Sequence, residues 1–473
     1  MRLLLAAGAA LALALAPSAL GGGGAFSSSD PLLDAIWAAA ARTAADVVVP
    51  GPLSSDAEGR PCPIALPTVI VDGVARDRCP YVGDLAVEGL TLLLTSPPAW
   101  PALRDELLWF AQNQHPDGAI PASPEGGGTR VFFDYNAFWI EDVYDYVLYT
   151  GDLALARAVW PNLVELVDGW YPAQRGPGGL LVDGLGPYDY AYVPRRGTTV
   201  AYYNAGYVRA LRFAAQLATW LGHPEEAAAW RSAGPSAATF DGAFWDASVG
   251  AFKDATTGPA IHPEDGNAFA ILAGLATRAQ ALSALRYLSS KDQRPWGNTF
   301  VDSNLWDTPG WGDETGERVY PFMTYFEVLA RFAAGLDASA LEVIRREWGW
   351  MLAHGPATTM WESIGPHGGP PPDDFAPSFD HGWSSGAVPL LTNAVLGLSP
   401  TSPGWGSFVA DPHPAATLAW AAGTVPTPKG PIRFAWRRTP AGYSATVVSP
   451  VPGIVKLPGR PAVPVAAGTH LVG

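Results

Sequence analysis

The sequence predicts a mainly helical protein of paired antiparallel helices, followed by a small β-sandwich. Three observations carry this. About twelve helix-like segments run near 30–47, 84–94, 99–113, 134–149, 153–171, 199–221, 224–242, 265–274, 277–289, 321–334, 337–353 and 384–397. They are joined alternately by short turn signals and long connectors. The short joints are Ser96-Pro97-Pro98, Thr150-Gly151-Asp152, Gly222-His223-Pro224 and Gly335-Leu336-Asp337. The long stretches, 48–83, 114–133, 172–198, 243–264, 290–320 and 354–383, are rich in Gly, Pro, Trp and acidic residues. From Gly397 to Gly406 a Pro/Gly/Ser linker appears, and short β-rich runs follow at 416–420, 432–436, 443–448 and 454–457.

The first helix shows the local logic. Ser29 or Asp30 can cap it, Pro31 suits its first turn, and Leu33, Ile36, Trp37 and Ala40 form one apolar stripe. Antiparallel pairing then puts every second connector at the same end, so six long loops gather on one face. Loops longer than ~15 residues in a compact domain are usually functional, which makes that face the place to look for chemistry. The expected organisation is a leader and linker over 1–24, a helical unit over 25–398 and an accessory β-sandwich over 399–473.

The 473 residues, 48% of them hydrophobic, can bury a large core. A net charge of −15, from 44 acids against 29 bases, argues against a nucleic-acid partner, which needs clustered Lys and Arg. The 19 Trp can fill a core or stack on sugar faces. Arg2, the apolar run Leu3 to Ala16 and Pro17-Ser18-Ala19 read as a secretory leader, too short for an ordinary membrane span. The expected protein is therefore secreted or periplasmic and free of the membrane once the leader is removed. Cys62 and Cys79, the only two cysteines, lie close together in the first long loop. Export favours a disulfide between them, with two buried thiols as the alternative.

The first long loop holds Asp72, Asp77 and Asp84, with Arg76 and Arg78 beside the middle acid and Tyr81 nearby. Each acid has a local role open to it: a turn at Asp72-Gly73, a helix cap at Asp84, an ion pair for Asp77. Together they can hold sugar hydroxyls, and one can donate a proton. The last long loop holds Thr358-Thr359-Met360-Trp361-Glu362 and then Phe379-Asp380-His381-Gly382-Trp383. If twelve helices close into a ring, the first and last long loops become neighbours. Two carboxyls across a cleft are what glycosidic cleavage needs. No phosphate-binding Gly loop with a following Lys, no HExxH helix and no GxSxG elbow is found, so metal catalysis and serine hydrolysis are weak readings.

In order along the chain, several pieces resemble the α-L-rhamnosidases of glycoside hydrolase family 78 and their six-hairpin relatives. They are Ser28 to Leu33 with Ile36-Trp37, Asp72 to Asp84, Asp134-Tyr135 through Asp152, Tyr320-Pro321-Phe322-Met323, Thr358 to Glu362 and His381-Gly382-Trp383-Ser384. The resemblance runs from about residue 26 into the sandwich. It implies an (α/α)6 barrel and inversion at the anomeric carbon, with Asp77 at the general-acid position and Glu362 at the general-base position. Asp72, Arg76, Tyr81, Asp84, Trp361 and His381 are the implied sugar contacts. Tyr81 stands where the family commonly has Trp, and Asp77 where many members have Glu. No cofactor or metal is implied, and the expected partner is a carbohydrate. An inverting hydrolase needs room for water, so the Asp77 and Glu362 carboxyls are expected roughly 6.5–9.5 Å apart. A non-catalytic sugar-binding protein, another six-hairpin glycosidase and a polysaccharide lyase stay open.

Overall fold

The computed structural model describes residues 23–56, 58–76, 78–183, 189–191, 197–302, 317–356, 358–371 and 377–473. Its helices alternate between an outer and an inner layer. The outer members are α1 (Pro31–Asp46), α3 (Trp100–Gln112), α5 (Leu153–Val164), α7 (Pro224–Ala233), α9 (Arg278–Lys291) and α11 (Asp337–His354). The inner members are α2 (Leu85–Thr95), α4 (Tyr135–Thr150), α6 (Ala201–Leu221), α8 (Glu264–Leu272), α10 (Pro321–Ala333) and a last helical run over 382–396. Each inner helix packs on the next, and the last packs back on α2, so the inner ring closes.

Local chemistry starts and stops these helices where the sequence predicted. Asp30 accepts from Leu32 N at 3.0 Å, and Asp152 accepts from Ala154 N and Leu155 N at the start of α5. Gly151, at φ 79°, ends α4 in the left-handed conformation that glycine adopts without steric cost. The predicted helix 224–242 is broken instead: α7 stops at Ala233, and a second piece, Ala237–Phe244, begins after Gly234-Pro235. Pro235 has no amide hydrogen to carry the helix on, and Ser236 caps the new start by accepting from Thr239 N at 3.1 Å. The barrel axis is filled by Phe138, Phe269, Phe322 and Phe326 from three inner helices. Ring centroids there are 4.8–5.6 Å apart from Phe326 to Phe269, Phe322 and Phe138.

The strands include short pairs inside the long loops, β2 (Val48–Pro50) with β3 (Thr68–Ile70), β4 (Trp245–Asp246) with β5 (Ala251–Phe252), and β6 (Gln293–Arg294) with β7 (Gly297–Asn298). The C-terminal layer is β8 (Leu398–Pro400), β9 (Phe408–Ala410), β10 (Trp420–Val425), β11 (Ile432–Thr439), β12 (Gly442–Ser449), β13 (Gly453–Val455), β14 (Val463–Val465) and β15 (Gly468–Val472). It forms a four-stranded sheet, β14-β13-β9-β8, and an antiparallel five-stranded sheet, β1-β10-β11-β12-β15. The first strand of the latter is β1 (Ala25–Ser28), a segment the sequence reading grouped with the helices. The five-stranded sheet turns one face to the last inner helix. Phe434 and Val447 are fully buried there, and Trp436 Nε1 donates to Val395 O at 3.0 Å.

Candidate active site

All six inner helices begin at the long-loop end, so their positive dipole ends converge on one area. Asp84 and Asp134 precede α2 and α4, Glu264 and Asp265 open α8, and His381 precedes the last inner run. The first and last long loops meet there as three extended segments side by side. Val74 N donates to Asp380 O at 3.0 Å and Gly382 N to Asp72 O at 2.9 Å. Glu362 N donates to Ser378 O at 2.9 Å and His381 N to Met360 O at 3.0 Å. This backbone lattice places Asp72, His381 and Glu362 together although 309 positions separate the first two in sequence.

His381 is the hub. Its Nε2 faces Asp72 Oδ1 in close contact and Asp84 Oδ1 at 3.6 Å, while its Nδ1 faces Ser378 Oγ at 3.3 Å and Glu362 Oε2 at 3.7 Å. Arg76 forms an ion pair with Glu362 Oε2. Asp84 Oδ2 accepts from Tyr135 OH at 3.2 Å. Burial, and then the adjacent Asp72, push the Asp84 carboxyl up to about 8 against the pull of His381. Burial likewise acts on Glu362, but His381 and the Arg76 guanidinium outweigh it and hold the carboxyl below the ordinary glutamate value. One acid is thus kept neutral and another ionised in the same cluster, the division of labour that acid–base chemistry requires.

The site residues expected from the sequence fall into four groups. Asp72, Arg76, Asp84, Glu362 and His381 come together. Tyr81 lies beside them along the first loop, with its hydroxyl bonded to Glu125. Asp77 lies outside the described residues. Trp361, the residue before Glu362, is 2% exposed, as buried as His381, and packs edge-on against Phe379 with centroids 5.1 Å apart. The aromatic ring at the cluster is Trp383, 4.7 Å from His381, whose Nε1 donates to Glu362 O at 2.8 Å.

Sequence reasoning also missed Glu88 and Tyr135. Glu88 is fully buried on α2, and burial followed by Asp84 and Asp72 raises its carboxyl well above the ordinary value. Its signal was available: one acid in the otherwise apolar, wholly buried run Leu85 to Leu94. In the unfolded chain that carboxyl titrates near 4.3. Its raised folded value contributes stability that is complete below about pH 4 and is lost as pH rises through the folded value. Glu88→Gln cannot ionise, so its melting temperature relative to the parent should rise between about pH 5 and pH 8. An equal difference at both pH values would mean that folding does not raise the Glu88 carboxyl above its unfolded value.

Cys62 and Cys79 are joined by a disulfide, Cα–Cα 5.7 Å. Cys79 O accepts from Asp72 N at 3.2 Å, and Arg78 O from Ser55 N at 2.9 Å, so the bridge ties the acid-bearing loop to the segment before it. Replacing both cysteines by Ala should cost about 2–4 kcal/mol. Titration of the denatured, unreduced protein should find no free thiol, and two would contradict the bridge. Asp72, Asp84 and His381 also bring one ligand atom each within 4.8 Å of one another, as do Asp56, Glu58 and Glu125 near Tyr81. The first group is equally suited to hydrogen-bonding adjacent sugar hydroxyls.

Comparison with known proteins agrees with this architecture. The model of the bacterial α-L-rhamnosidase six-hairpin glycosidase domain matches residues 64–295, and that of the bacterial α-L-rhamnosidase C-terminal domain matches residues 397–466. No curated protein sequence matches the chain. Among solved structures, the family 78 rhamnosidase of Bacillus sp. GL1 superposes with a TM-score of 0.73 at 24% identity, over 93% of this chain and 43% of that one. The α-L-rhamnosidase of Aspergillus terreus gives 0.72 at 18% identity, over 96% and 50%. The Streptomyces avermitilis α-L-rhamnosidase complexed with L-rhamnose gives 0.69 at 18%, over 95% and 42%. At these identities the likeness shows the shared fold, and the chain spans half or less of each of those proteins. With both domain models matched in order on a closed ring of six helical hairpins, the chain belongs to the bacterial α-L-rhamnosidase family of six-hairpin glycosidases.

Proposed function

We propose that the chain is an exported, inverting glycoside hydrolase that removes terminal α-L-rhamnose, or a similar deoxy-sugar, from a glycoside or polysaccharide. The observation that carries this reading is the state of Glu362: a carboxylate kept ionised by Arg76 and His381 at the mouth of the barrel, beside a set of carboxyls suited to sugar hydroxyls. In this reading Glu362 takes a proton from water as the water attacks the anomeric carbon, and Asp77 protonates the departing oxygen. Asp72, Asp84 and His381 hold ring hydroxyls, with hydrogen bonds that strengthen as positive charge develops at the anomeric centre. Export is supported by the leader-like segment over 1–24 and by the disulfide, which persists in an oxidising compartment.

The deciding experiment is hydrolysis of an aryl α-L-rhamnoside followed by NMR of the first-formed sugar. Release of β-L-rhamnose is the expected result. A first product of α configuration would remove Glu362 from the base role. Saturable rhamnose binding without hydrolysis of any aryl glycoside would instead leave a sugar-binding protein on a glycosidase barrel.

A further inference from the structure

The five-stranded sheet of the C-terminal domain turns one face to the barrel, while its other face is partly open, with Ala422 and Ala435 buried at its centre and Trp420 and Leu471 exposed. Across β10, β11, β12 and β15, the residues turned from the barrel fall into three register rows. These are Trp420–Arg437–Ser444, Ala422–Ala435–Thr446–Leu471 and Thr424–Arg433–Val448–Thr469. Trp420 is 37% exposed, and Leu471 is 84% exposed on the edge strand. The central row has small, buried side chains at Ala422 and Ala435, and it is flanked by Arg437 beside the exposed Trp420 on one side and by Arg433 on the other.

The charge of this domain is opposite to that of the chain. The protein carries 44 acids and 29 bases, but residues 399–473 hold Lys429, Arg433, Arg437, Arg438, Lys456 and Arg460 against a single acid, Asp411. Lys456 takes that acid at 3.2 Å. Arg438 and Arg460 donate to backbone carbonyls, and Arg437 Nε to Ser444 Oγ at 3.3 Å. Among the described residues no carboxylate pairs with Arg433 or Arg437. Guanidinium groups suit bidentate contact with carboxylates, and indole faces suit sugar rings.

We propose that this outer sheet face is an accessory binding surface for an anionic polysaccharide, with Trp420 stacking on a sugar ring and Arg433 and Arg437 engaging uronate carboxylates. The proposal rests on the glycosidase reading only in taking the polymer to be the polysaccharide that carries the terminal sugar. Arg433 and Arg437 are four residues apart on β11, about 13 Å, so a ligand must be long enough to span several rings. Exposed ion pairs are individually weak, and a polymer gains by engaging several at once. The surface would hold the polymer while the barrel trims sugars from its ends or branches.

The test is affinity electrophoresis of the full chain through gels containing polygalacturonate, neutral dextran or double-stranded DNA, at low and at about 0.3 M salt. Expected are retardation by polygalacturonate alone, relief by salt, and roughly tenfold weaker binding in Arg433→Gln/Arg437→Gln. Trp420→Ala should weaken binding as well, and aryl rhamnoside turnover should be unchanged in all variants. Unretarded migration of the parent in polygalacturonate would overturn the proposal. So would equal retardation by DNA, or undiminished binding by the variants, because either outcome means a non-specific cationic patch or a site elsewhere. Binding is read without hydrolysis, so failure of the catalytic assay and failure of this surface are separate results.

Discussion

Glu362→Gln is expected to lower turnover of an aryl α-L-rhamnoside by roughly 10²–10⁴-fold while leaving KM within a few-fold, the effect of removing a positioned base. The amide keeps the size of the side chain and still accepts from Arg76, so the site should stay assembled. It cannot take a proton from water. Asp77→Asn should act differently, costing least on substrates whose leaving group departs without protonation. Near-normal turnover in the Gln variant, with the anomer of the product unchanged, would transfer the base role to another carboxylate of the cluster.

Gly382→Ala is expected to cost roughly 10²-fold in activity and about 1–3 kcal/mol in stability, although it adds a single methyl group. A Cβ at position 382 would overlap the Glu88 carboxylate, which is buried, so the Glu88 side chain, the local backbone or α2 must shift. Gly382 N also holds Asp72 O, and its neighbours in sequence are His381 and Trp383. A shift of the backbone there moves the hub of the polar cluster. The second change Glu88→Ala removes the obstructing carboxylate and should restore part of both losses. If Gly382→Ala alone melts and turns over like the parent, the close packing of α2 against the last inner run is not what positions His381.

The ring was legible in the sequence because its signals are local and repeated. The turn Thr150-Gly151-Asp152 combines a left-handed glycine with the next helix's capping acid, and it needs no tertiary information. The meeting of Asp72 with Glu362 followed from closure of that ring, one step beyond local reading. The break after Ala233 was signalled by Gly234-Pro235. Pairing of β1 with β10 carried no signal, because a four-residue strand has little pattern and its partner lies almost four hundred residues away. The carboxyl state of Glu88 and Asp84 was likewise hidden, since it depends on burial that only the packed structure defines.

The β1–β10 pairing sets an order on synthesis. The first strand leaves the ribosome early, and its hydrogen-bonding neighbour at Trp420–Val425 follows after the whole helical ring has been made. At about 5–20 residues per second that interval is roughly 20–80 s, during which the edge of β1 has no strand beside it. Completion of the five-stranded sheet is then the step that joins the segment before the ring to the segment after it. Truncated or stalled products ending before residue 420 would carry a correctly wound ring with an unpaired edge, and should be the species most prone to clump and to be degraded.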